Sequence, residues 1–374
     1  SLFTFTKGLD YEEAIFLLIV AALLRFSRKG YYRESVPVKG ITVFIMILVS
    51  AISIGFYAML GHSISFAFTG FKNGPKVFEI FITRKQFTCN AIYAFILAWV
   101  ILTIYFILKP KRPFDIKVSD EDIDKLKEFL KKYEGNYLTH LLFMRDKNFY
   151  WAQEGKVLIA YANIRDKLVI LGDPIGDEKY FQKAIEEIQI FADKYALYPV
   201  FYQVAEKYIT TYHENGYYFF KLGEEAVVDL EKFNLEGKKR KDLRLVRNRF
   251  EKENMEFEII DPPFSSEFMG TLKEISDQWL NGRKEKGFSL GAFDEKYINT
   301  APVAILKNAD KEIIAFATMM PKYDDGKTIS IDLMRFVNDA PNGTMDTLFL
   351  KIMLWSKENG YKYFNLGKIG RAHV

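Results

Sequence analysis

Three stretches without a charged residue interrupt the first third of the chain, and beyond residue 111 the pattern changes to short alternating and helically spaced apolar positions. Residues 41–60 make twenty uncharged positions and residues 91–108 eighteen. Each is long enough to cross a hydrocarbon core roughly 30 Å thick at about 1.5 Å per residue. The first stretch, 14–24, has only eleven residues between Glu12, Glu13 and Arg25, so two to three membrane helices are expected. The loop 25–40 holds five Lys or Arg in sixteen positions, against four in thirty for loop 61–90, which puts the denser loop on the cytoplasmic side. Two spans return the chain to that side at Lys109, Lys111 and Arg112, so the polar remainder is expected to face the cytoplasm. The spans carry no acid or base at mid-depth, so nothing in them suggests a proton or ion path.

The polar part opens on a stiff basic linker, Pro110-Lys-Arg-Pro113. In residues 120–133, Ile123, Leu126, Phe129 and Leu130 recur at helical spacing, with Ser119 or Asp120 as the cap. Short strands are expected at 149–153, 157–163 and 167–171, then a helix at 179–195, a strand at 198–204, a helix at 207–215, and strands at 217–221 and 225–228. A second round follows: helix 238–253, strand 256–260, helix 265–282, strands 303–307, 313–321 and 328–336, helix 344–358 and strand 361–366. Helices alternate with antiparallel strands in both rounds, which is an α+β pattern rather than a doubly wound sheet. The order in the second round resembles an N-acyltransferase fold of the GNAT type, and the first round resembles a degenerate copy of it. The expected domains are a transmembrane region at 1–112, a first GNAT-like subdomain at 113–230 and a second at 231–367.

Composition adds little to this picture. The net charge of +4 over 374 residues says nothing specific about partners. One cysteine, Cys89, excludes an intrachain disulfide, and four scattered histidines give no metal spacing. The chain begins with neither Met nor a signal peptide, and it is expected to be part of a longer one. Residues 369–374 back-translate readily into a common sequencing adapter, so 368–374 are expected to be a non-native tail.

Candidate chemistry concentrates in the second round. In GNAT enzymes the fourth strand leads into a glycine-rich loop that cradles the coenzyme A diphosphate. Here the equivalent run is Val337-Asn-Asp-Ala-Pro-Asn-Gly-Thr-Met345, in which Asp339 adds negative charge, Pro341 removes an amide and Gly343 stands alone. A donor other than coenzyme A is expected, and no cofactor or metal. Asp332 and Arg335 sit three apart on the preceding strand, where a regular pleat would point them to opposite faces; a bulge would bring them to one site. The alternative is a structural pair within the sheet. Residues 238–252 carry eight bases against Asp242 and Glu251, with Arg240, Arg244 and Arg247 on one helical face. Such a face suits RNA phosphates or anionic head groups, or is simply solvated. The run His140-Leu-Leu-Phe-Met-Arg-Asp-Lys147 and the glycine-flanked loop 286–293 are further candidates.

Trp151 with Gly155, Leu171-Gly-Asp-Pro-Ile-Gly176, Gly237-Lys-Lys-Arg240, Phe288-Ser-Leu-Gly291, Ser330-Ile-Asp-Leu-Met-Arg335, Ala340-Pro-Asn-Gly-Thr-Met-Asp346 and Phe364-Asn-Leu-Gly367 together form a set of motifs that resembles the bacterial phosphatidylglycerol lysyltransferases (multiple peptide resistance factors). The resemblance runs to Gly367, where Lys368 replaces the family's Met-Ala-Pro-Leu continuation. It implies a polytopic flippase part and a cytosolic dual-GNAT synthase that moves a lysyl group from lysyl-tRNA to phosphatidylglycerol, lowering surface negative charge and resisting cationic antimicrobial peptides. This chain would hold the last spans and most of the synthase, in the plasma membrane, with self-association possible through the membrane part. Asp332 would handle a proton or the donor amine, Arg335 the lipid phosphate or the tRNA terminus, and Lys238, Lys239, Arg240, Arg244 and Arg247 the tRNA or lipid, with His140 as a further catalytic candidate. Alanyl transfer to the same lipid, or a non-catalytic module binding tRNA or anionic lipid, are the competing readings.

Overall fold

The computed structural model describes residues 118–370 without interruption and single helical positions between Ile15 and Tyr105. Apart from those positions, the three apolar stretches at 14–24, 41–60 and 91–108 lie outside the described residues, as do 371–374. Among the described residues no helix is long and apolar enough to cross a membrane. The chain divides into two units, Ser1–Pro113 with Asp193–Ala196, and Phe114–Ala192 with Leu197–Val374.

The second unit begins with α1, Asp120–Lys132, whose start is chemically marked. Ser119 Oγ accepts the Asp122 N–H at 3.2 Å, and the Asp122 carboxylate accepts the Ser119 N–H at 2.9 Å. Three acids fill its first turn and two lysines its last, matching the helix dipole at both ends. Ile123, Leu126 and Phe129 face inward. A 3₁₀ turn, Thr139–Met144, leads into β1 (Asn148–Ala152), β2 (Val157–Ile164), β3 (Lys167–Leu171) and a two-residue β4 (Ile175–Gly176). Helix α2 (Phe181–Lys194) then crosses to β5 (Tyr198–Tyr202), which lies parallel to β3. The sheet order is β1-β2-β3-β5, with β4 paired to β2.

After the short α3 (Ile209–Glu214) the chain enters a six-stranded sheet through β6 (Gly223–Asp229). There follow α4 (Lys241–Lys252), β7 (Glu256–Ile260), α5 (Ser266–Leu280), α6 (Glu295–Ile298), β8 (Val303–Lys307), β9 (Ile313–Pro321), β10 (Thr328–Phe336), α7 (Thr344–Glu358) and β11 (Tyr363–Gly370). The order is β6-β11-β10-β9-β8-β7, with β10 and β11 parallel and the other neighbours antiparallel. Each sheet thus contains an antiparallel meander whose last strand, β3 or β10, crosses over a helix to a parallel neighbour. This is a mixed α/β acyltransferase-like architecture. The meander strands at 303–307, 313–321 and 328–336 fall where the alternation predicts them.

Three local expectations fail. The strand expected at 217–221 is irregular chain with Tyr218 and Phe220 exposed; aromatic content alone did not supply a ladder partner. The expected helix at 207–215 is shorter, a 3₁₀ turn and the six residues of α3. And β6, placed by sequence order with the first half, pairs with β11 of the second, so the sheet boundary precedes residue 223. Lys368–Gly370 continue β11 against β6.

One apolar cluster joins both halves: Leu126, Leu141 and Leu142 meet Leu272, Ile275, Tyr297, Phe316 and Leu333. A second cluster fills the opposite face of the larger sheet, where Leu348, Ile352 and Met353 of α7 cover Ala315, Ala317 and Ile329, with Leu243, Val246 and Phe250 of α4 at its margin. The first cluster therefore fixes the first half against the α5 side of β10, where the candidate residues lie.

Candidate functional site

Strand β10 contains the irregularity that the Asp332/Arg335 spacing requires. Ile331 pairs with Met319 and Met334 with Ala317, so three residues on β10 advance against two on β9. The extra residue breaks the alternation: Ile331 and Met334 pack into the α7 cluster, while Leu333 packs into the shared one. Asp332, Leu333 and Arg335 thereby share the α5 face. The Leu333 N–H, displaced from the regular ladder, donates to Thr318 Oγ1 at 3.0 Å.

Asp332 is partly buried and each of its oxygens accepts one hydrogen bond. Oδ1 accepts the Gly291 N–H at 2.8 Å and Oδ2 the Tyr297 hydroxyl at 2.7 Å. Burial raises its pKa, opposed by those two donors and by the charges of Arg335 and Lys147. Gly291 is required by space, since a Cβ there would lie 1.8 Å from Asp332 Oδ2. Arg335 is 7 % exposed. Its guanidinium lies 3.9 Å from the centre of the Trp279 ring and pairs with Glu285 at 3.1 Å. Its Nε is buried without a hydrogen-bond partner among the described residues.

His140 lies behind this pair rather than on it. It is 2 % exposed, and burial lowers its pKa to about 3, so the ring is neutral. Nδ1 lies 2.9 Å from Tyr323 Oη and Nε2 3.2 Å from Thr300 Oγ1. The Thr300 hydroxyl donates its proton to the Tyr297 carbonyl at 2.5 Å. That leaves Thr300 to accept from His140, which assigns the proton to Nε2 and makes Nδ1 the acceptor for Tyr323. Both ring nitrogens are thus committed within the protein, and the chain they form ends on the backbone of Tyr297.

The basic helix is more structural than its composition suggests. Arg244 donates to the carbonyls of Leu235 and Gly237, both at 2.7 Å, Arg240 lies over the Phe233 ring, and Arg247 is 3.8 Å from Glu251. Lys238, Lys239 and Lys241 are exposed at its N-terminal end. Arg249, not singled out by the sequence, donates to the Asn342 carbonyl and so ties α4 to the loop after β10. In that loop the Ala340 N–H is given to the Val337 carbonyl and the Thr344 N–H to the Pro341 carbonyl. Two of the loop's amides are thus spent internally and Asp339 adds negative charge, both unfavourable to a diphosphate. Among the described residues no cluster of three His, Cys, Asp or Glu side chains forms a metal site.

Tyr297, Glu285 and Trp279 had no motif to announce them; contacts far apart in sequence bring them to Asp332 and Arg335. The loop 286–293 and the run ending in Asp146-Lys147 were visible as segments, though without their function.

The family model described as "Phosphatidylglycerol lysyltransferase, C-terminal" matches residues 127–373. A phosphatidylglycerol lysyltransferase of Bacillus subtilis (strain 168) is 39 % identical over 378 residues, covering 100 % of this chain and 43 % of the relative. One of Staphylococcus haemolyticus (strain JCSC1435) is 41 % identical over 279 residues, covering 75 % of this chain and 32 % of the relative. The chain thus spans less than half the length of these curated relatives. Among solved structures, L-PGS from Bacillus licheniformis superposes with a TM-score of 0.67 at 45 % identity, over 70 % of this chain and 80 % of that one.

Proposed function

The chain belongs to the phosphatidylglycerol lysyltransferase family through that C-terminal region, and we propose that it transfers a lysyl group from lysyl-tRNA to phosphatidylglycerol at the cytoplasmic face of a bacterial membrane. A glycerol hydroxyl of the lipid attacks the ester carbonyl of the aminoacyl-tRNA. A C–O bond to the lipid forms, the C–O bond to the terminal ribose breaks, and the hydroxyl proton passes to the departing ribose oxygen. The ester is already activated, so the protein has to position the two substrates and stabilise the oxyanion, without a coenzyme.

The observation that carries this reading is the bulge in β10, which turns Asp332 and Arg335 to one side, where the Arg335 Nε has no hydrogen-bond partner among the described residues. A guanidinium with a free donor, buried against Trp279, suits a phosphate of the lipid or of the tRNA terminus. Asp332 then receives the donor ammonium or the hydroxyl proton. His140 we assign as a positioning residue acting through Thr300 and Tyr297, since it is neutral and fully engaged. Lys238 and Lys239 at the start of the basic helix hold tRNA, with Arg240 and Arg244 held against the chain before it and Arg247 paired with Glu251 within it.

The two sheets are read as a tandem GNAT-like pair, and residues 1–112 as two to three spans that hold it at the leaflet of its acceptor and offer a surface for self-association. The test is lipid extraction after supplying radiolabelled lysine. Wild type yields labelled lysyl-phosphatidylglycerol, and Asp332→Ala and Arg335→Ala lose it. Label from alanine instead of lysine would reassign the donor, and full transfer by Asp332→Ala would remove the site.

A further inference from the structure

Residues 285–293 connect α5 to α6 and form no ladder, yet three of their backbone N–H groups are given to carboxylates. Phe293 donates to Glu285 at 3.2 Å within the segment, Gly291 to Asp332 at 2.8 Å, and Phe288 to Asp146 at 2.7 Å. The two anchors outside the segment come from opposite halves of the unit, Asp332 from the bulge in β10 and Asp146 from the turn before β1. Asp146 is itself held. Its other oxygen takes Lys147 Nζ at 2.5 Å, and that ammonium, whose side chain has no exposed surface, also donates to the Leu141 carbonyl at 3.0 Å. An ammonium buried this deeply is tolerated only when paired and hydrogen-bonded, so the pair is a fixed point of the first half. The Phe288 ring closes over it, 5.7 Å from Nζ and 6.5 Å from the Tyr202 ring.

Each Asp332 oxygen accepts one protein donor and keeps a second lone pair, but the Gly291 backbone lies against the carboxylate, where a Cβ would sit 1.8 Å from Oδ2. A donor ammonium or lipid hydroxyl reaches it when the segment lifts, and the segment then closes with the Gly291 N–H again on Oδ1. We infer that residues 285–293 are a lid over Asp332 and that Asp146, held by Lys147, is the positioning residue that latches it from the first half. The latch gives the first half, which carries neither Asp332 nor Arg335, a defined part in the site. Its kinetic consequence rests on the lysyl-transfer reading above; the lid itself does not.

The experiment follows trypsin cleavage at Lys284 and Lys286, both exposed, by mass spectrometry of the 374-residue chain, alongside transfer to phosphatidylglycerol vesicles. Cleavage of a transiently opened segment tracks the population of the open form. Asp146→Ala is expected to raise cleavage at these two sites about tenfold or more, the effect of losing one charge-assisted hydrogen bond, with other sites unchanged. Its kcat falls by about as much while KM changes less, because substrate still enters but the closed geometry is not kept. Asp146→Asn retains an oxygen for the Phe288 N–H and stays within about threefold of wild type, whereas Lys147→Met follows Asp146→Ala. Cleavage of Asp146→Ala at the wild-type rate, equal acceleration at every tryptic site, or Asn behaving as Ala would each overturn the latch. A wild-type chain that transfers no lysine defeats the proposed function, and the cleavage pattern still decides the lid.

Discussion

Replacing Gly291 by alanine tests the seating of the lid on Asp332 with one methyl group. The Cβ would lie 1.8 Å from Asp332 Oδ2, 2.5 Å from Cγ and 2.9 Å from Oδ1, so either the carboxylate or the loop has to move. The carboxylate is held by Tyr297, which is 2 % exposed, and the loop by Asp146, so movement breaks the Gly291 N–H bond to Asp332. A hydrogen bond to a charged group contributes about 1.5–3 kcal/mol, which at about 1.4 kcal/mol per decade is roughly a ten- to hundredfold fall in kcat/KM. If the same hydrogen bond also stabilises the fold, the melting temperature drops by roughly 3–12 °C, at about 2–4 °C per kcal/mol for a domain of this size. Gly270 supplies the control: it lies in α5, is exposed, and a Cβ there meets nothing within 4 Å. Gly270→Ala is expected to stabilise by up to about 1 kcal/mol through helix propensity and to leave transfer unchanged. The paired measurement is steady-state transfer of labelled lysine and thermal unfolding by circular dichroism. Gly291→Ala with wild-type kcat/KM and an unshifted melt would refute the close approach of Gly291 to Asp332. A lowered melt with full activity would show that this approach supports the fold and not the site.

Tyr297→Phe deletes a donor that lowers the Asp332 pKa, so that pKa rises further and the acid limb of the pH–rate profile moves to higher pH; an unmoved limb argues that Asp332 does not control the rate. Arg335→Lys keeps the charge but loses the planar fork on Glu285 and Trp279, and transfer is expected to fall about tenfold or more in steady-state assays. Asp173 tests pH-linked stability. Burial raises its pKa from 3.8 to about 6, despite donors from Ala205 and Tyr212. Because the folded state holds that proton more tightly, its contribution is complete below pH 4 and is lost as pH rises to 6, by about 3 kcal/mol. Urea midpoints of wild type should therefore fall between pH 4 and 6 relative to those of Asp173→Asn, and parallel curves would exclude the linkage. Reversing Lys238 and Lys239 to Glu should weaken tRNA binding and flatten its log–log salt dependence by about 0.7–0.9 for each phosphate no longer neutralised, read in filter-binding titrations.

What the sequence determined by itself was local. The 3.6-residue spacing of Ile123, Leu126 and Phe129, and the alternation through 303–307, 313–321 and 328–336, depend on side chains a few positions apart, so α1 and the meander could be located from residue order. The same holds for the poor fit of residues 337–345 to a diphosphate, where an acid, a proline and a lone glycine stand next to one another. Asp332 and Arg335 could be nominated, and the need for a bulge stated, because the pleat has a period of two.

Tertiary structure decided what those residues meet. Whether β10 is bulged depends on its register with β9, and the partner of β6 is more than a hundred residues further on, in β11. His140, a lone histidine that sequence alone leaves open between a structural and a catalytic role, is a buried, neutral link here, because Tyr323 and Thr300 arrive from 183 and 160 positions away. Tyr297 could not be chosen from the sequence, and Asp146 and Lys147 stood there only as the end of the candidate run 140–147, since a tyrosine or an Asp-Lys dipeptide is ordinary until a fold brings it to a carboxylate or a lid. Helical and strand patterns are written in near neighbours, whereas a site is assembled by long-range contacts that share one apolar cluster, and only packing the two halves together brings them into register.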